Sequence, residues 1–410
     1  MNIIVCGGGA AGMMAAGTAA QFADKVILIE KNDALGRKLR ITGKGRCNIT
    51  NICETEDMIS MFPVNGKFLY SALYTFTNDD VISLLEGLGV KTKVERGGRV
   101  FPVSDDARDV VGAMRTYALK KNVELVKDEV KSLMIENGVV TGVKTASGKK
   151  ISSDRVILCT GGASYPQTGS NGFGYRLAKS AGHTIITPSP SLVPLCVKEK
   201  WCADLMGLSL KNAAVTAYAS NGKKLYSGFG EMLFTHFGVS GPQILSLSAH
   251  IKEAVKNGGC TIEIDLKPAL SAGQLDARIL RDFAEQKNKH LINSLGRLLP
   301  KAIIPVIIDI SGIAPHKSVC EITKDERKAL GETIKALKLH ITGFRPIAEA
   351  IITSGGVKTS EINSSTMESK LTAGLYFAGE IIDVDGYTGG YNLQAAWSTG
   401  YLAGYNAAQS

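Results

Sequence analysis

The sequence lacks the cysteine spacings from which metal sites and redox-active disulfides are built. Its cysteines are scattered, with no C-x-x-C pair and no cysteine and histidine cluster at metal-ligand spacing. We therefore expect free thiols, no structural metal and no disulfide reductase activity. The eight cysteines of the 410-residue chain are Cys6, Cys47, Cys53, Cys159, Cys196, Cys202, Cys260 and Cys320.

Long apolar runs are also lacking. No run approaches the roughly 18 residues that a membrane-spanning helix needs. The apolar run at the start has no basic region before it and no cleavage site after it, which favours a buried first strand and a cytoplasmic protein. There is no repeat, low-complexity tract or charged tail. The 44% hydrophobic and 21% charged content is typical of a globular chain, here long enough for two or three packed units.

Acidic residues are fewer than basic ones. The 38 Asp and Glu residues and the 47 Lys and Arg residues give a net charge of +9. This charge weakly favours an anionic partner. Most basic residues are spread along the chain, but the segment EKNDALGRKLRITGKGRCN, residues 30–48, concentrates them. Its basic residues are Lys31, Arg37, Lys38, Arg40, Lys44 and Arg46.

The first motif is IIVCGGGAAGMMAA, in which an apolar strand leads into glycines at G-x-G-x-x-G spacing and then into an Ala-rich helix. Gly7 permits the tight turn, Gly9 lets a pyrophosphate approach the backbone, and Gly12 lets the helix pack on the strand. Glu30 closes the next strand, VILIE, and can accept hydrogen bonds from ribose hydroxyls. The pattern predicts a dinucleotide-binding βαβ unit. The alternative is a glycine turn that only packs.

The C-terminal segment GLYFAGEIIDVDGYTGGYNLQAAWSTG distinguishes FAD from NAD. An apolar strand ends at Gly379 and Glu380, whose carboxylate can accept hydrogen bonds from ribityl hydroxyls. A helix begins near Gly389 and Gly390, so its N-terminus would face the flavin N1/O2 edge and stabilise the anionic reduced ring. A strand at residues 157–162, ILCTGG, closes the nucleotide domain. FAD is therefore the predicted cofactor.

The middle of the chain predicts further units. Short strands joined by turns at Asn137-Gly138 and Ser147-Gly148 indicate a β-meander. Strand patterns follow Pro188, and helical patterns dominate between Gln274 and Lys338. The predicted domains are an FAD-binding domain, first part (1–188), a β-rich insert (189–270), a helical subdomain (271–336), a return strand of the insert (337–350) and the second part of the FAD-binding domain (351–410).

The chain resembles the YhiN/BaiN-like flavoproteins of the glutathione-reductase-like FAD fold. The resemblance covers essentially the whole chain and rests on GGGAAGMMAA, GRKLRITGKGRCNITN, GGRVFPVSDDA, CTGGASYPQTGSNGFGYRLAKSAGH, EMLFTHFGVSGP, TSGGV and the C-terminal segment. It implies an α/β fold: a Rossmann-like FAD-binding domain split between both chain ends, with an inserted β-barrel-like domain and a small helical subdomain. Lys44 departs from the glycine that we expect the family to favour.

The motifs and the resemblance together define a set of candidate cofactor-binding residues. They lie on the first glycine turn, the basic run, the domain-closing strand and the C-terminal segment. They are Gly7, Gly9, Ala10, Ala11, Gly12, Glu30, Lys31, Arg37, Lys38, Gly45, Arg46, Asn48, Val130, Thr160, Gly161, Gly379, Glu380, Gly390, Asn392 and Leu393.

The candidate catalytic residues are Cys47, Arg46 and Tyr387. Cys47 could deliver the proton that accompanies hydride addition to a C=C bond, although packing of the loop is the favoured alternative. Arg46 could bind a phosphate or a substrate anion, and Asn48 could bond the flavin ring. Tyr387 and Thr388 could line the flavin pocket, or Tyr387 could be an exposed loop residue.

Other singled-out residues have structural interpretations. His236 lies among apolar residues and is interpreted as a core or structural histidine. Tyr165 and Thr168 could reach the flavin pocket or only fix the turn around Pro166. Trp201 is expected in the core.

The leading hypothesis is an FAD-dependent oxidoreductase that takes hydride from NADPH or NADH and reduces an activated C=C bond of an enone or steroid-like substrate. No second dinucleotide fingerprint lies between the two FAD segments, so the donor is expected to dock transiently. The resemblance also implies two alternatives, an rRNA uridine reductase and an O2-using amine oxidase. The basic charge leaves a third alternative, a non-catalytic flavin-containing RNA-associated protein. The expected partner is a small-molecule substrate, with rRNA as the second candidate and no membrane.

Overall fold

A computed structural model describes residues 1–409 and divides the chain into two compact units. One unit is formed by Met1–Ser191 together with the residues from Pro346 onward, and the other by Leu192–Arg345. No helix of the described residues is both long and apolar enough to cross a bilayer.

The strands, in chain order, are β1 (Asn2–Cys6), β2 (Lys25–Glu30), β3 (Thr50–Asn51), β4 (Thr92–Glu95), β5 (Arg99–Pro102), β6 (Val123–Lys127), β7 (Val130–Glu136), β8 (Val139–Thr145), β9 (Lys150–Ser152), β10 (Arg155–Leu158), β11 (Ile185–Ser191), β12 (Leu195–Val197), β13 (Ser209–Ala219), β14 (Lys224–Thr235), β15 (Gly238–Ser240), β16 (Cys260–Asp265), β17 (Leu337–Phe344), β18 (Ile352–Val357) and β19 (Leu375–Phe377).

The α-helices are α1 (Ala10–Ala19), α2 (Thr55–Ser60), α3 (Tyr70–Thr75), α4 (Asn78–Gly87), α5 (Ala107–Ala118), α6 (Phe173–Ser180), α7 (Pro242–His250), α8 (Lys252–Lys256), α9 (Ala272–Glu285), α10 (Ile304–Ile310), α11 (Lys324–Lys335) and α12 (Tyr391–Gln409).

The first unit is built on a parallel sheet with the strand order β19-β10-β1-β2-β6. Its central strands are continuous apolar runs, as expected where helices cover both faces of a parallel sheet. The edge strand β19 comes from the far end of the chain and pairs with β10. The sheet therefore needs both chain ends, which confirms the predicted split Rossmann-like domain.

The last helix packs directly on the first. A Cβ at Gly400 would lie 2.5 Å from the Ala11 carbonyl oxygen, and one at Gly404 would lie 2.5 Å from the Ala15 carbonyl oxygen. Helices α1 and α12 thus meet backbone to backbone, and a side chain at either glycine would force them apart.

Smaller antiparallel sheets surround the parallel one. The predicted meander is the sheet β7-β8-β9. Its first turn places Asn137 at φ 52° and Gly138 at φ 77°, the backbone that a two-residue type I′ hairpin requires. Strands β3, β5 and β4 form a second small sheet, and β11 pairs with β18.

The second unit contains a closed six-stranded barrel in the order β12-β15-β14-β13-β16-β17. Inward residues of alternate positions, such as Val215, Phe234 and Ile262, are fully buried. Helices α9 and α11 begin at capping boxes on Ser271 and Thr323, and their apolar faces pack into the same core as the barrel. This confirms the predicted β-barrel-like insert with a small helical subdomain.

Candidate active site

The predicted cofactor residues follow the carboxyl ends of the parallel strands. Gly7 comes directly after β1, Glu30 ends β2, Thr160 follows β10, and Gly379 follows β19. Val130 starts β7, shortly after β6 ends. Because parallel strands end at one edge of their sheet, the topology brings residues from both chain ends to a single edge, where open α/β sheets bind ligands.

The first glycine turn is tightly packed except at one point. Gly7 has φ 102°, and a Cβ there would lie 2.6 Å from the Cys159 carbonyl oxygen. A Cβ at Gly12 would lie 1.8 Å from the Gly7 carbonyl oxygen. At Gly9, in contrast, no atom lies within 4 Å of the Cβ position. Open space beside the first turn of α1 is what a pyrophosphate needs to reach the free N–H groups, so these residues fit an FAD pyrophosphate.

Glu30 is fixed at the junction of this turn with the next loop. Its Oε2 accepts a hydrogen bond from the Gly8 N–H at 2.7 Å. Its Oε1 accepts from the Asn32 backbone N–H at 2.8 Å and from Asn32 Nδ2 at 2.7 Å. The carboxylate is therefore held in one orientation beside the predicted ribose position. Asn32 is not predictable from the sequence, because a single asparagine in a loop carries no pattern.

A cavity of about 290 Å³ opens beside Glu30. Its walls come from the loop after β2, from α5 and from β6, and it is lined by Glu30, Asn32, Asp33, Ala34, Leu35, Arg40, Val111, Arg115, Leu125 and Lys127. The predicted ribose-binding carboxylate thus borders a space with both apolar and cationic walls.

Glu380 is the centre of a partly buried polar network. Lys38 Nζ lies 2.6 Å from its Oε2. Ser164 Oγ donates to its Oε1 at 2.8 Å, and the Thr353 N–H donates to the same oxygen at 2.8 Å. Lys38 Nζ also donates to Ser164 Oγ at 2.6 Å. The structure therefore brings the predicted Lys38 and Glu380 together.

Ser164 and Thr353 hold the network in place, and neither was predicted from the sequence. Thr353 Oγ1 accepts from the backbone N–H groups of Ala163 and Ser164, at 2.8 and 3.0 Å. A Cβ at Gly162 would lie 2.4 Å from this oxygen. The motifs GGAS and TSGGV marked these segments, but nothing in either motif indicated that they meet.

Tyr175 contributes a buried hydroxyl beside the same network. The residue is 7% exposed, and its hydroxyl makes no hydrogen bond of acceptable geometry within residues 1–409. Burial raises the pKa of the phenol, and the nearby charges of Glu380 and Asp383 raise it further, against an opposing effect of Thr353. The phenol therefore stays protonated and has a hydrogen to donate.

Cys47 lies in a tight loop and is fully buried. Its N–H donates to the Thr42 carbonyl oxygen at 3.0 Å, and its backbone is left-handed, with φ 61°. Burial raises the pKa of the Cys47 thiol to about 12. These observations support the packing role, and proton donation by Cys47 stays a prediction.

Arg46 is held by internal contacts. Its Nη1 lies 2.8 Å from Glu95 Oε1 and 3.1 Å from Asp105 Oδ1, and its guanidinium carbon lies 4.1 Å from the centroid of the Phe101 ring. Lys93 pairs with the second oxygen of Asp105 at 2.6 Å. The cluster fastens the basic loop to the β4-β5 hairpin. An anion-binding role for Arg46 stays a prediction.

Asn48 connects this loop to the start of α12. In the amide orientation that satisfies both of its ends, Asn48 Oδ1 accepts from the Gly390 N–H at 3.0 Å, and its Nδ2 donates to the Thr50 carbonyl oxygen at 3.2 Å. A Cβ at Gly390 would lie 2.3 Å from that carbonyl oxygen. Asn392 Nδ2 in turn donates to the Gly386 carbonyl oxygen at 2.8 Å. The predicted Asn48, Gly390 and Asn392 therefore meet at one helix end.

Tyr387 lies in the loop that precedes α12. It is half-buried, and its N–H donates to the Met61 carbonyl oxygen at 3.0 Å. Burial and the neighbouring Asp385 raise the pKa of its phenol. Contact between Tyr387 and a flavin stays a prediction.

The other predicted cofactor residues take up the following places. Lys31 Nζ lies 3.6 Å from Glu129 Oε1, and Arg37 Nη1 donates to Asn32 Oδ1 at 2.9 Å. The remainder lie on turns and first helical turns: Ala10 and Ala11 in α1, Leu393 in α12, Gly45 in the basic loop at φ 85°, and Gly161 after β10 at φ 71°.

The interpretation of His236 is wrong. The residue is exposed, in the turn between β14 and β15, and stacks edge-on against Phe237 with ring centroids 4.9 Å apart. Thr168 Oγ1 donates to the Tyr165 carbonyl oxygen at 2.8 Å, so this pair fixes the turn around Pro166. Trp201 packs against the barrel core, as expected.

Comparison with known proteins decides the family. Residues 1–406 match the model described as the HI0933-like protein Rossmann domain. The chain belongs to this family. The resemblance to YhiN/BaiN-like flavoproteins is thereby confirmed, and the chain has the FAD-binding oxidoreductase fold of the HI0933-like proteins.

Relatives of the HI0933-like chain match over nearly their full lengths. It is 33% identical to the 3-dehydro-bile acid delta(4,6)-reductase of Clostridium scindens, over 100% of both chains. It is 34% identical to the ribosomal RNA dihydrouridine synthase of Haemophilus influenzae, over 98% of this chain and 96% of the relative. The protein of the same name from Escherichia coli is 31% identical, with the same coverage.

Solved structures share the fold of the HI0933-like chain at low identity. The 3-ketosteroid delta1-dehydrogenase of Sterolibacterium denitrificans superposes with a TM-score of 0.53 at 12% identity, over 99% of both chains. The 3-ketosteroid-delta4-(5alpha)-dehydrogenase of Rhodococcus jostii gives 0.52 at 14% identity, over 100% of this chain and 96% of that one. At such identities the likeness concerns the fold alone.

Proposed function

We propose that the protein is an FAD-dependent reductase that takes hydride from NAD(P)H and adds it, with a proton, to an activated C=C bond of an organic substrate. The observation that carries this proposal is full-length similarity to relatives named for two different substrates. A delta(4,6)-reductase of a 3-dehydro bile acid and a dihydrouridine synthase both saturate a C=C bond conjugated to a carbonyl group. The shared chemistry is what we transfer to this chain.

The residues at the sheet edge would hold the cofactor, and FAD when bound supplies the hydride-transfer chemistry. The Gly7 to Gly12 turn and the first turn of α1 would bind the pyrophosphate, and Glu30 would accept a hydrogen bond from the adenosine ribose. Glu380, whose Oε2 is bonded to Lys38, would accept hydrogen bonds from the ribityl hydroxyls.

The start of α12 has the electrostatic role. The first N–H groups of a helix have no intrahelical partner and carry partial positive charge. At Gly390 one of them is bonded to Asn48, which fixes the helix end against the basic loop. The remaining N–H groups of the first turn can stabilise negative charge that develops on a bound ring or substrate carbonyl.

The hydride donor is proposed to dock transiently. Within residues 1–409, the sheets other than β19-β10-β1-β2-β6 are antiparallel. A dedicated Rossmann domain for NAD(P)H needs a second parallel sheet. The donor would therefore bind briefly at the flavin itself, and it would leave before the substrate enters the same space.

The rRNA uridine reductase is the second candidate. Two relatives named as ribosomal RNA dihydrouridine synthases and the net charge of +9 favour it. Cations that neutralise phosphates make affinity fall steeply with salt. The affinity of the protein for an rRNA fragment should therefore drop steeply between low and physiological salt if this candidate is right, and stay flat if it is wrong.

The test is an anaerobic titration of the FAD-loaded protein with NADPH and then NADH, followed by visible flavin absorbance. We expect rapid bleaching by one of the two donors and recovery of the colour on addition of a conjugated enone steroid. Recovery with uridine-containing rRNA instead would select the second candidate. Failure of both donors to bleach the flavin would refute an NAD(P)H-linked reductase.

A further inference from the structure

The cavity beside Glu30 lies on the α5 side of the loop that follows β2. Leu35, in its wall, packs against the glycine turn, since a Cβ at Gly8 would lie 2.3 Å from Leu35 Cδ2. The Gly36 N–H donates to the Gly8 carbonyl oxygen at 2.8 Å, and a Cβ at Gly36 would lie 3.1 Å from Val111 of α5. The loop therefore separates the cavity from the glycine turn. Within the described chain, Glu30 is the one predicted cofactor residue in the lining.

The acidic groups of the cavity are already bonded, whereas two of its cations are not. Asp33 pairs with Lys127, and the Glu30 carboxylate accepts three hydrogen bonds. The side chains of Arg40 and Arg115 make no hydrogen bond, ion pair or ring contact with any residue from 1 to 409. Both are exposed, and they come from different elements, the basic run and the last turn of α5. Two unbonded guanidinium groups thus line one cavity.

The charge and size of the cavity indicate the kind of ligand that it fits. A guanidinium presents its N–H groups in a planar fork that matches phosphate oxygens. A phosphate monoester carries nearly two negative charges above its second pKa of about 6, which suits two guanidinium groups, whereas a carboxylate or a phosphodiester carries one.

The rest of the wall suits an apolar group on that ligand. Leu35 and Val111 are buried and form apolar parts of the wall, and Leu125 is 42% exposed and offers an apolar surface. The volume of about 290 Å³ is at the small end of pockets that hold small molecules. The apolar group that fits is therefore about the size of one ring.

We propose that this cavity binds a small phosphate monoester that carries an apolar ring. Arg40 and Arg115 bind the phosphate by charge-assisted hydrogen bonds, and the ring packs on Leu125. Because the loop after β2 separates this site from the glycine turn, the ligand binds together with FAD rather than in its place. The inference does not depend on the proposed reaction.

The experiment titrates the FAD-loaded protein with phenyl phosphate and measures the heat of binding, at about pH 8, where the phosphate is a dianion. Methyl phenyl phosphate keeps the ring but carries one charge, and inorganic phosphate lacks the ring. We expect phenyl phosphate to bind about tenfold more tightly than either of them.

Arg40→Gln and Arg115→Gln are each expected to weaken the binding of phenyl phosphate about tenfold. Leu125→Thr should weaken it about fivefold and leave inorganic phosphate within about twofold, because only the ring packs on Leu125. Arg96→Gln is the control, since it removes an equal charge from an exposed arginine outside the cavity and should change neither constant. The altered side chains are exposed in the parent, so the variants are expected to keep its melting temperature.

Failure of the parent to bind phenyl phosphate, or equal affinity for the monoester and the diester, would overturn the inference. An equal loss of affinity in Arg96→Gln would also overturn it, by showing a diffuse effect of positive charge. Release of FAD by phenyl phosphate would place the anion in the cofactor site and refute a separate one. The expected losses, in a protein whose flavin neither NADPH nor NADH reduces, would support this site while refuting the proposed function.

Discussion

The buried hydroxyl of Tyr175 makes no hydrogen bond of acceptable geometry within residues 1–409, and an unsatisfied buried donor costs ~1–3 kcal/mol. Tyr175→Phe removes that donor and keeps the ring. We expect it to raise the free energy of unfolding of the FAD-free protein by about 1 kcal/mol, measured by urea denaturation.

Tyr117→Phe is the matched control. The Tyr117 hydroxyl is bonded to Thr18 Oγ1 at 3.0 Å and to Gln21 Nε2 at 3.1 Å. Its removal should lower the free energy of unfolding by about 1 kcal/mol. Loss of stability in both variants would show that the Tyr175 hydroxyl is satisfied.

Cys47 gives a second prediction at the residue scale. Because its thiol is buried and its pKa is raised to about 12, we expect Cys47→Ala to keep kcat within about twofold while losing about 1 kcal/mol of stability to a small cavity. Cys6→Ala, at another buried thiol whose pKa is raised to about 12, should show the same small change in kcat and the same loss of stability. A fall in kcat of about a hundredfold or more, in Cys47→Ala alone, would instead identify a proton donor.

At the scale of elements, the basic loop, the β4-β5 hairpin and the start of α12 form one contact chain. Two residues of the loop make these contacts. Arg46 pairs with Glu95 of the hairpin, and Asn48 accepts a hydrogen bond from Gly390 at the start of the helix. These bonds join segments that are distant in sequence, so no local pattern indicates them. The residues of the loop are therefore predictable from the sequence, but their partners are not.

The Arg46 cluster should make stability depend on pH. Arg46 lowers the pKa of Glu95, and Lys93 together with Arg46 lowers the pKa of Asp105. Carboxyl groups with a depressed pKa in the folded state stabilise it above their unfolded pKa of about 4, and this stabilisation disappears as the pH falls through the folded pKa. Arg46→Met should therefore lower the melting temperature at neutral pH, with a difference that shrinks in acid.

The control for this measurement is Arg108→Met. Arg108 pairs with Asp106, two residues earlier in the sequence, and its side chain is highly exposed. Its loss should therefore change the melting temperature little at any pH. A deficit in Arg46→Met that stays constant from neutral to acidic pH would attribute the role of Arg46 to its packing on Phe101 rather than to its ion pairs.

At the scale of the whole molecule, the features with a strong local signal were predictable. The glycine turn, Glu30 and the C-terminal strand and helix are each readable from a short pattern, and the sheet topology then fixes where they meet. The network of Lys38, Ser164 and Thr353 around Glu380 was not, because its members come from four separate segments. The error at His236 has a similar cause, since apolar neighbours do not distinguish a core position from a short turn between buried strands.

The way the barrel unit is inserted gives a prediction at this scale. It leaves and returns through β11 and β18, which pair antiparallel, with Ser191 opposite Ile352. An Asn-Gly turn joining these two residues can replace residues 192–351 as a two-residue hairpin. We expect the shortened protein to fold and bind FAD, seen by quenched flavin fluorescence.

A shortened protein with Gly7→Val is the control for that binding, because a side chain at Gly7 cannot fit against Cys159. Loss of FAD binding in the shortened protein itself would show that the first unit needs the barrel unit in order to fold or to bind FAD.

The strand order of the parallel sheet has a consequence for biosynthesis. A ribosome delivers β1, β2, β6 and β10 early, but β19 and α12 emerge last. Until then β10 presents an unpaired edge, and α1 lacks the helix that covers it, although the nascent barrel unit can already close. Such edges recruit other chains. The β10 edge therefore stays unpaired from the synthesis of β10 until β19 emerges, and we expect the nascent chain to need chaperones most in this interval.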